Sequence, residues 1–352
     1  MVLNKLATYK MASSVSLKSK IYVLFLVFMI PNFLPQANSC ANNTLDATFS
    51  QLHLPKGCYG PTAVAFDSKG EGPYTGSSDG RIFKYDAETT SFKEFCVGNP
   101  HRSRKSCDAV DFTKAPAACG RPLAFSFDQN SEDMYYVDAI YGLMRVKSGG
   151  GGVAQPVCST VGGSPLSLPS SIATGGSNGD LYFTDYSRKF NIKNVITSLR
   201  HTEDYTGRLI KYDVTTKQTK VLADNLKGAA GVVPSKDGSF LLVTELMGKR
   251  IQKYWLKGSK KNTAEIFRTL DGFPTGIKIT PGGHFWITIN QMNGDERTTS
   301  PMCIKMDETG KDLNVVDLSS KYPGQFVTAA EEMAGKLYVG SFTTPFVGVY
   351  SL

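Results

Sequence analysis

The sequence predicts an all-β fold: a six-bladed β-propeller with four-stranded blades and a short helical cap insertion on one end. Three observations predict it. Short runs of alternating apolar residues recur in pairs across Gly-containing turns. The pairs return roughly every 45–60 residues, which suits a four-stranded blade. No long stretch carries the 3.6-residue period of a helix. Each alternating run has two faces to cover. One blade cannot cover both, so the units must close into a ring.

The elements follow in order. Residues 48–54 form an early strand that can complete the last blade. Residues 73–76 (PYTG) and 80–86 (GRIFKYD) make the first hairpin, and 134–138 (MYYVD) with 142–146 (GLMRV) the second. Residues 181–185 (LYFTD) pair with 207–213 (GRLIKYD), and 240–245 (FLLVTE) with 250–255 (RIQKYW). Residues 284–288 (HFWIT) mark the fifth unit; 336–340 (KLYVG), followed by 346–350 (FVGVY), mark the sixth. The insertion between Asp185 and Gly207 is the cap, with residues 193–202 its helical candidate. Gly149 to Gly152 follow a strand and precede no helix, so they form a flexible turn and not a phosphate loop.

Residues 1–39 have the pattern of a signal peptide, leaving 40–352 as the propeller domain. Lys18 and Lys20 precede the apolar run 21–30, and Ala37-Asn38-Ser39 offers a cleavage site. Met11 is an alternative start. A membrane anchor is the competing reading; the shortness of the run, with Pro31 and Pro35 after it, argues against it. With no second apolar stretch of spanning length, no membrane span is expected in the mature chain, and the expected address is the secretory pathway, ending in the vacuole or outside the cell. Asn42-Asn43-Thr44 is a glycosylation sequon at Asn42. Of seven cysteines, Cys107 and Cys119 bracket a polar loop and are the expected disulfide; the pairing of Cys40, Cys58, Cys96, Cys158 and Cys303 stays open. No C-x-x-C pair is present, which argues against zinc. Four lysines before residue 39 supply half of the net charge of +8, and no basic cluster is interleaved with aromatics, so no nucleic-acid partner is expected.

Several segments together carry a resemblance: 60–67 (GPTAVAFD), 72–76 (GPYTG), 119–123 (CGRPL), 206–213 (TGRLIKYD), 253–258 (KYWLKG) and 282–286 (GGHFW). They resemble the strictosidine synthase family of plant propellers over about residues 50–352. The resemblance implies a pocket at one end of the central channel, where strictosidine synthase joins an amine to an aldehyde and closes a new ring. That chemistry needs a carboxylate to move protons near the amine. The family's Glu stands seven residues before the Gly that precedes the KLYVG strand. Here that Gly is Gly335, and seven back is Thr328. A Thr hydroxyl is no general base near neutral pH. The family's His two residues earlier is Phe326, and a pocket Trp corresponds to Leu168. Leu123, Phe342 and Thr343 complete the pocket that the resemblance implies.

Related calcium-dependent propellers, the paraoxonases and lactonases, hold their ion with Glu, Asn and Asp. The matching positions here are Thr62, Ser170-Ser171, Ala230 and Thr275-Gly276. Calcium wants six to eight oxygens, several from carboxylates, so neither metal nor other cofactor is expected. Catalytic candidates are Glu331, reachable by a three-residue slip of alignment, His201 and His101, which can face the channel mouth, and Asp185 and Glu245 at matching strand ends. For the two strand-end acids the competing reading is structural. His284 reads as structural, as does Glu332, and His53, on a terminal strand, reads as exposed. The implied function is a metal-free enzyme of specialised, alkaloid-type metabolism. It would condense, cyclise or isomerise an apolar or aromatic amine-derived small molecule, with Pictet–Spengler activity in doubt. The alternatives are a non-catalytic propeller that binds a small molecule or a protein, and a genuine amine–aldehyde synthase.

Overall fold

Each strand pair read from the sequence becomes the middle of a blade. The structure, a computed structural model, describes residues 48–352 apart from 112, 177–178, 196–202 and 293–298. The leader, Cys40, Asn42, His201 and most of the expected cap helix lie outside the described residues. Blade 1 contains Tyr74–Gly76, Arg81–Asp86 and Ser91–Val97, with Gly152–Val153 added in parallel at its outer edge; its innermost segment, residues 61–66, meets Tyr74 through Ala65. Blades 2 to 5 run outward from Pro122–Phe127, Pro169–Gly175, Ala229–Pro234 and Phe273–Ile279. Blade 6 runs from Val327–Met333 through Lys336–Ser341 and Phe346–Ser351, and the early strand Phe49–His53 pairs antiparallel with Phe346–Ser351 to finish it. The N-terminal end of the described chain thus locks the C-terminal blade and closes the ring. Among the described residues no helix is long and apolar enough to cross a membrane.

The core lies between blades. Ile82 of blade 1 packs with Phe125 and Tyr136 of blade 2, and Val137 of blade 2 with Leu181 and Phe183 of blade 3. Leu209 joins Val243 across blades 3 and 4, Leu242 joins Phe285 across blades 4 and 5, Trp286 joins Leu337 across blades 5 and 6, and Val347 joins Phe83 across blades 6 and 1. Every seam has its own dry cluster, so the apolar face of each strand is satisfied only by a neighbour.

Cys107 and Cys119 are joined by a disulfide, whereas Cys58, Cys96, Cys158 and Cys303 are free thiols. The bridged loop holds a turn of helix, Arg104–Cys107, capped by Ser103, and a 3-10 turn, Ala117–Cys119. It packs tightly on the first hairpin: a Cβ on Gly80, whose φ is +88°, would meet the Cys119 carbonyl oxygen at 1.7 Å.

Candidate functional site

The innermost strands share an irregularity. In blades 2, 3, 4 and 6, the register against the second strand slips by one residue near the start of the inner strand, leaving Leu123, Ser170, Ala230 and Thr328 as extra residues; blade 5 slips at Thr275-Gly276. A bulge re-aims the side chain that it leaves unpaired. All of these residues line one axial cavity of about 410 Å³, together with Thr62 and Ala63 of blade 1. That volume suits a small molecule. Gly276 is dictated by the approach of blade 6, because a Cβ there would meet the Thr328 carbonyl oxygen at 2.3 Å.

The cavity gathers all six expected pocket residues: Leu123, Leu168, Phe326, Thr328, Phe342 and Thr343. Tyr186, Ile192, Val195 and Leu246 add to the wall from outside the inner strands. Behind Phe342, the buried Arg121 guanidinium stacks with its carbon 5.3 Å from the ring centre.

Six hydroxyls of the inner segments and second strands bond across the seams. Thr62 Oγ1 donates to Pro122 O (3.2 Å) between blades 1 and 2, and Thr174 Oγ1 to Phe127 O (3.0 Å) between blades 2 and 3. Ser171 Oγ accepts from the Val232 N–H (3.1 Å) between blades 3 and 4, and Thr244 Oγ1 donates to Thr275 O (2.6 Å) between blades 4 and 5. Thr275 Oγ1 donates to Val327 O (2.9 Å) between blades 5 and 6, and Thr328 Oγ1 to Thr62 O (2.7 Å) between blades 6 and 1. Every seam is pinned by a side-chain hydroxyl. Among the described lining residues there is no carboxylate and no imidazole. This donor set does not fit a calcium ion, which needs carboxylate oxygens.

The catalytic candidates part company with the cavity. Asp185 is fully buried, receives Arg208 Nη2 at 2.6 Å and the Leu168 N–H at 2.9 Å, and does not line the cavity. Burial pushes its carboxyl up, against the pull of Arg208. Glu245 is fully buried, takes Arg250 Nε at 2.8 Å and the Lys227 N–H at 2.7 Å, and is likewise off the wall. In both ion pairs an acid at the end of the second strand stands opposite an Arg at or next to the start of the third. His101 is exposed and away from the cavity, and His201 lies outside the described residues. Glu331 does not line the cavity; it sits three residues further along the inner strand than Thr328 and pairs with Lys278, which does. Burial pushes its carboxyl up. Glu332 accepts from Trp286 Nε1 (2.6 Å) and Lys305 Nζ (2.8 Å), a structural cross-link between blades.

Sequence reasoning passed over Lys278. It lines the cavity, with Nζ 3.2 Å from Phe125 O of blade 2 and 3.4 Å from Glu331 Oε2 of blade 6. The available clue was a lone cation within an inner strand, FPTGIKI, at the depth where blade 6 carries Glu331 and blades 2 to 4 carry Ser126, Ala173 and Val233.

Comparison with known proteins gives a consistent result. The strictosidine synthase family profile matches residues 173–259. Strictosidine synthase-like 12 of Arabidopsis thaliana is 36% identical over 308 residues, covering 87% of this chain and 91% of the relative. Strictosidine synthase of Catharanthus roseus is 34% identical over 303 residues, covering 85% of each. A gluconolactonase from Xanthomonas campestris superposes with a TM-score of 0.59 at 14% identity, over 88% of this chain and 90% of its own, a likeness of fold alone. At that level of identity, over most of its length, the chain belongs to the strictosidine synthase family.

Proposed function

We propose that this protein is a metal-independent enzyme of plant specialised metabolism that holds an apolar or aromatic small molecule in the axial cavity and directs its condensation, cyclisation or isomerisation. The observation that carries this reading is the lining itself: aliphatic and aromatic side chains, with seam-bound hydroxyls and Thr328 in place of the family's Glu. Such a wall orients reacting ends by proximity and excludes water; it offers no carboxylate at the position where the family moves protons. A genuine amine–aldehyde synthase is disfavoured on the same ground. The second reading, a propeller that binds without catalysing, draws on the commitment of the Thr328 hydroxyl to the Thr62 carbonyl.

The test is incubation of the protein with aromatic amines, aldehydes and preformed iminium compounds, reading both rate and product stereochemistry. Rate enhancement with one dominant stereoisomer supports the enzyme. Ligand retention with no rate change supports the binder. EDTA should leave either behaviour unaltered; loss on chelation would overturn the metal-free reading. Thr328→Glu should gain amine–aldehyde condensation, because it returns a carboxylate to the cavity wall.

A further inference from the structure

The cavity's inner end is built differently from its wall. Lys278 projects from blade 5 and is held by a carbonyl from blade 2 and a carboxylate from blade 6, so its ammonium is set by three blades. An ammonium has three N–H donors. Among the described residues its Nζ donates to Phe125 O, and Glu331 Oε2 at 3.4 Å is an ionic partner without a hydrogen bond, so donor capacity is left for the cavity that Lys278 lines. No other ammonium or guanidinium lines the cavity among the described residues.

We propose that Lys278 is the specificity-determining donor of this site, and that it donates a hydrogen bond to the carbonyl oxygen of an otherwise apolar ketone at the inner end of the cavity. The inference rests on the small-molecule reading given above and names the polar group of that ligand. Three facts select a carbonyl. The Glu331 carboxylate already balances the Lys278 charge at 3.4 Å, so a ligand carboxylate would set a second negative charge beside a single cation. A ligand hydroxyl would bring a proton of its own, and Glu331 Oε2, the unpartnered acceptor beside Lys278, is enclosed. A carbonyl oxygen only accepts, and its carbon skeleton meets the aliphatic and aromatic wall. Hydrogen bonding from an ammonium also draws electron density from the carbonyl carbon, which favours attack on it.

The probes are 6-propionyl-2-dimethylaminonaphthalene, a naphthyl ketone whose emission moves to the red when its carbonyl accepts a hydrogen bond, and its 6-propyl analogue, which lacks the oxygen. Dissociation constants are measured for the wild type and Lys278→Met. The wild type should prefer the ketone by about tenfold, the scale of one hydrogen bond to a charged donor. Lys278→Met should erase that preference, leave the propyl analogue's affinity unchanged and shift bound-ketone emission to the blue. If Lys278→Met unfolds because Glu331 loses its partner, Lys278→Met/Glu331→Gln removes the stranded charge and serves in its place. Equal affinity of the wild type for both probes, or parallel loss of both in the variant, overturns the assignment of Lys278. Failure of folded wild type to bind even the propyl analogue overturns the small-molecule reading itself.

Discussion

Thr328 lines the cavity and serves the structure at the same time. Its bulge aims the side chain at the axis, yet its hydroxyl turns to the Thr62 carbonyl and joins the last blade to the first. Thr328→Val should therefore cost about 1 kcal/mol, the net value of one such hydrogen bond, read as a lower urea midpoint. An unchanged midpoint would mean that the seam does not use this bond. Counting back from Gly335 located Thr328, and with it Phe326, because the spacing along one strand survives in sequence. Lys278 was not legible in the same way. Its partner Phe125 is 153 residues distant, and only ring closure sets the two across the axis.

At the scale of elements, the recurrent device is an acid that ends a second strand beside an Arg of the third. Arg208 also reaches Val161 O (3.2 Å) and Pro165 O (3.1 Å), so it pins the small hairpin of Thr160–Val161 and Ser164–Pro165 to blade 3. Arg208→Leu leaves the Asp185 carboxylate buried without its partner and should destabilise by about 3–5 kcal/mol. Asp185→Leu in the same chain should recover part of that loss, and denaturant titration of both variants checks it. In blade 1 the acid, Asp79, stands in the turn before Arg81 and gives the pairing a pH signature. Burial pushes its carboxyl up, but donors from Arg81, Ser77 and the Ala109 N–H outweigh this and hold it at about 2. The folded value lies below the unfolded one, so the stabilisation is present above about pH 4 and is lost as pH falls towards 2, on the order of 2 kcal/mol. The gap in melting temperature between wild type and Asp79→Asn should narrow over that range; a constant gap would sink the assignment. The sequence showed acids at these strand ends but not their partners, because Arg208 follows Asp185 only after an insertion whose folding brings the two strands together.

For the whole molecule, the six-fold repeat was legible because alternation and turn chemistry recur in every unit. Closure was legible from residues 48–54 alone, a strand with no partner of its own nearby. Removing residues 1–53 should strip blade 6 of its outer strand and expose the edge of Phe346–Ser351. The expected outcome is loss of a single cooperative unfolding transition and concentration-dependent aggregation, checked by calorimetry and light scattering.

The hydroxyl pins at the six seams carry a consequence for how this scaffold changes over time. A shared ion ties all of its ligands to one another, so altering one disturbs the rest. Here each join stands on its own donor and acceptor atoms, and, away from Lys278, the residue beside it can vary without unsettling the opposite side of the ring. The chamber is therefore open to resculpting one sector at a time, which is the condition under which a single architecture diversifies towards many guests.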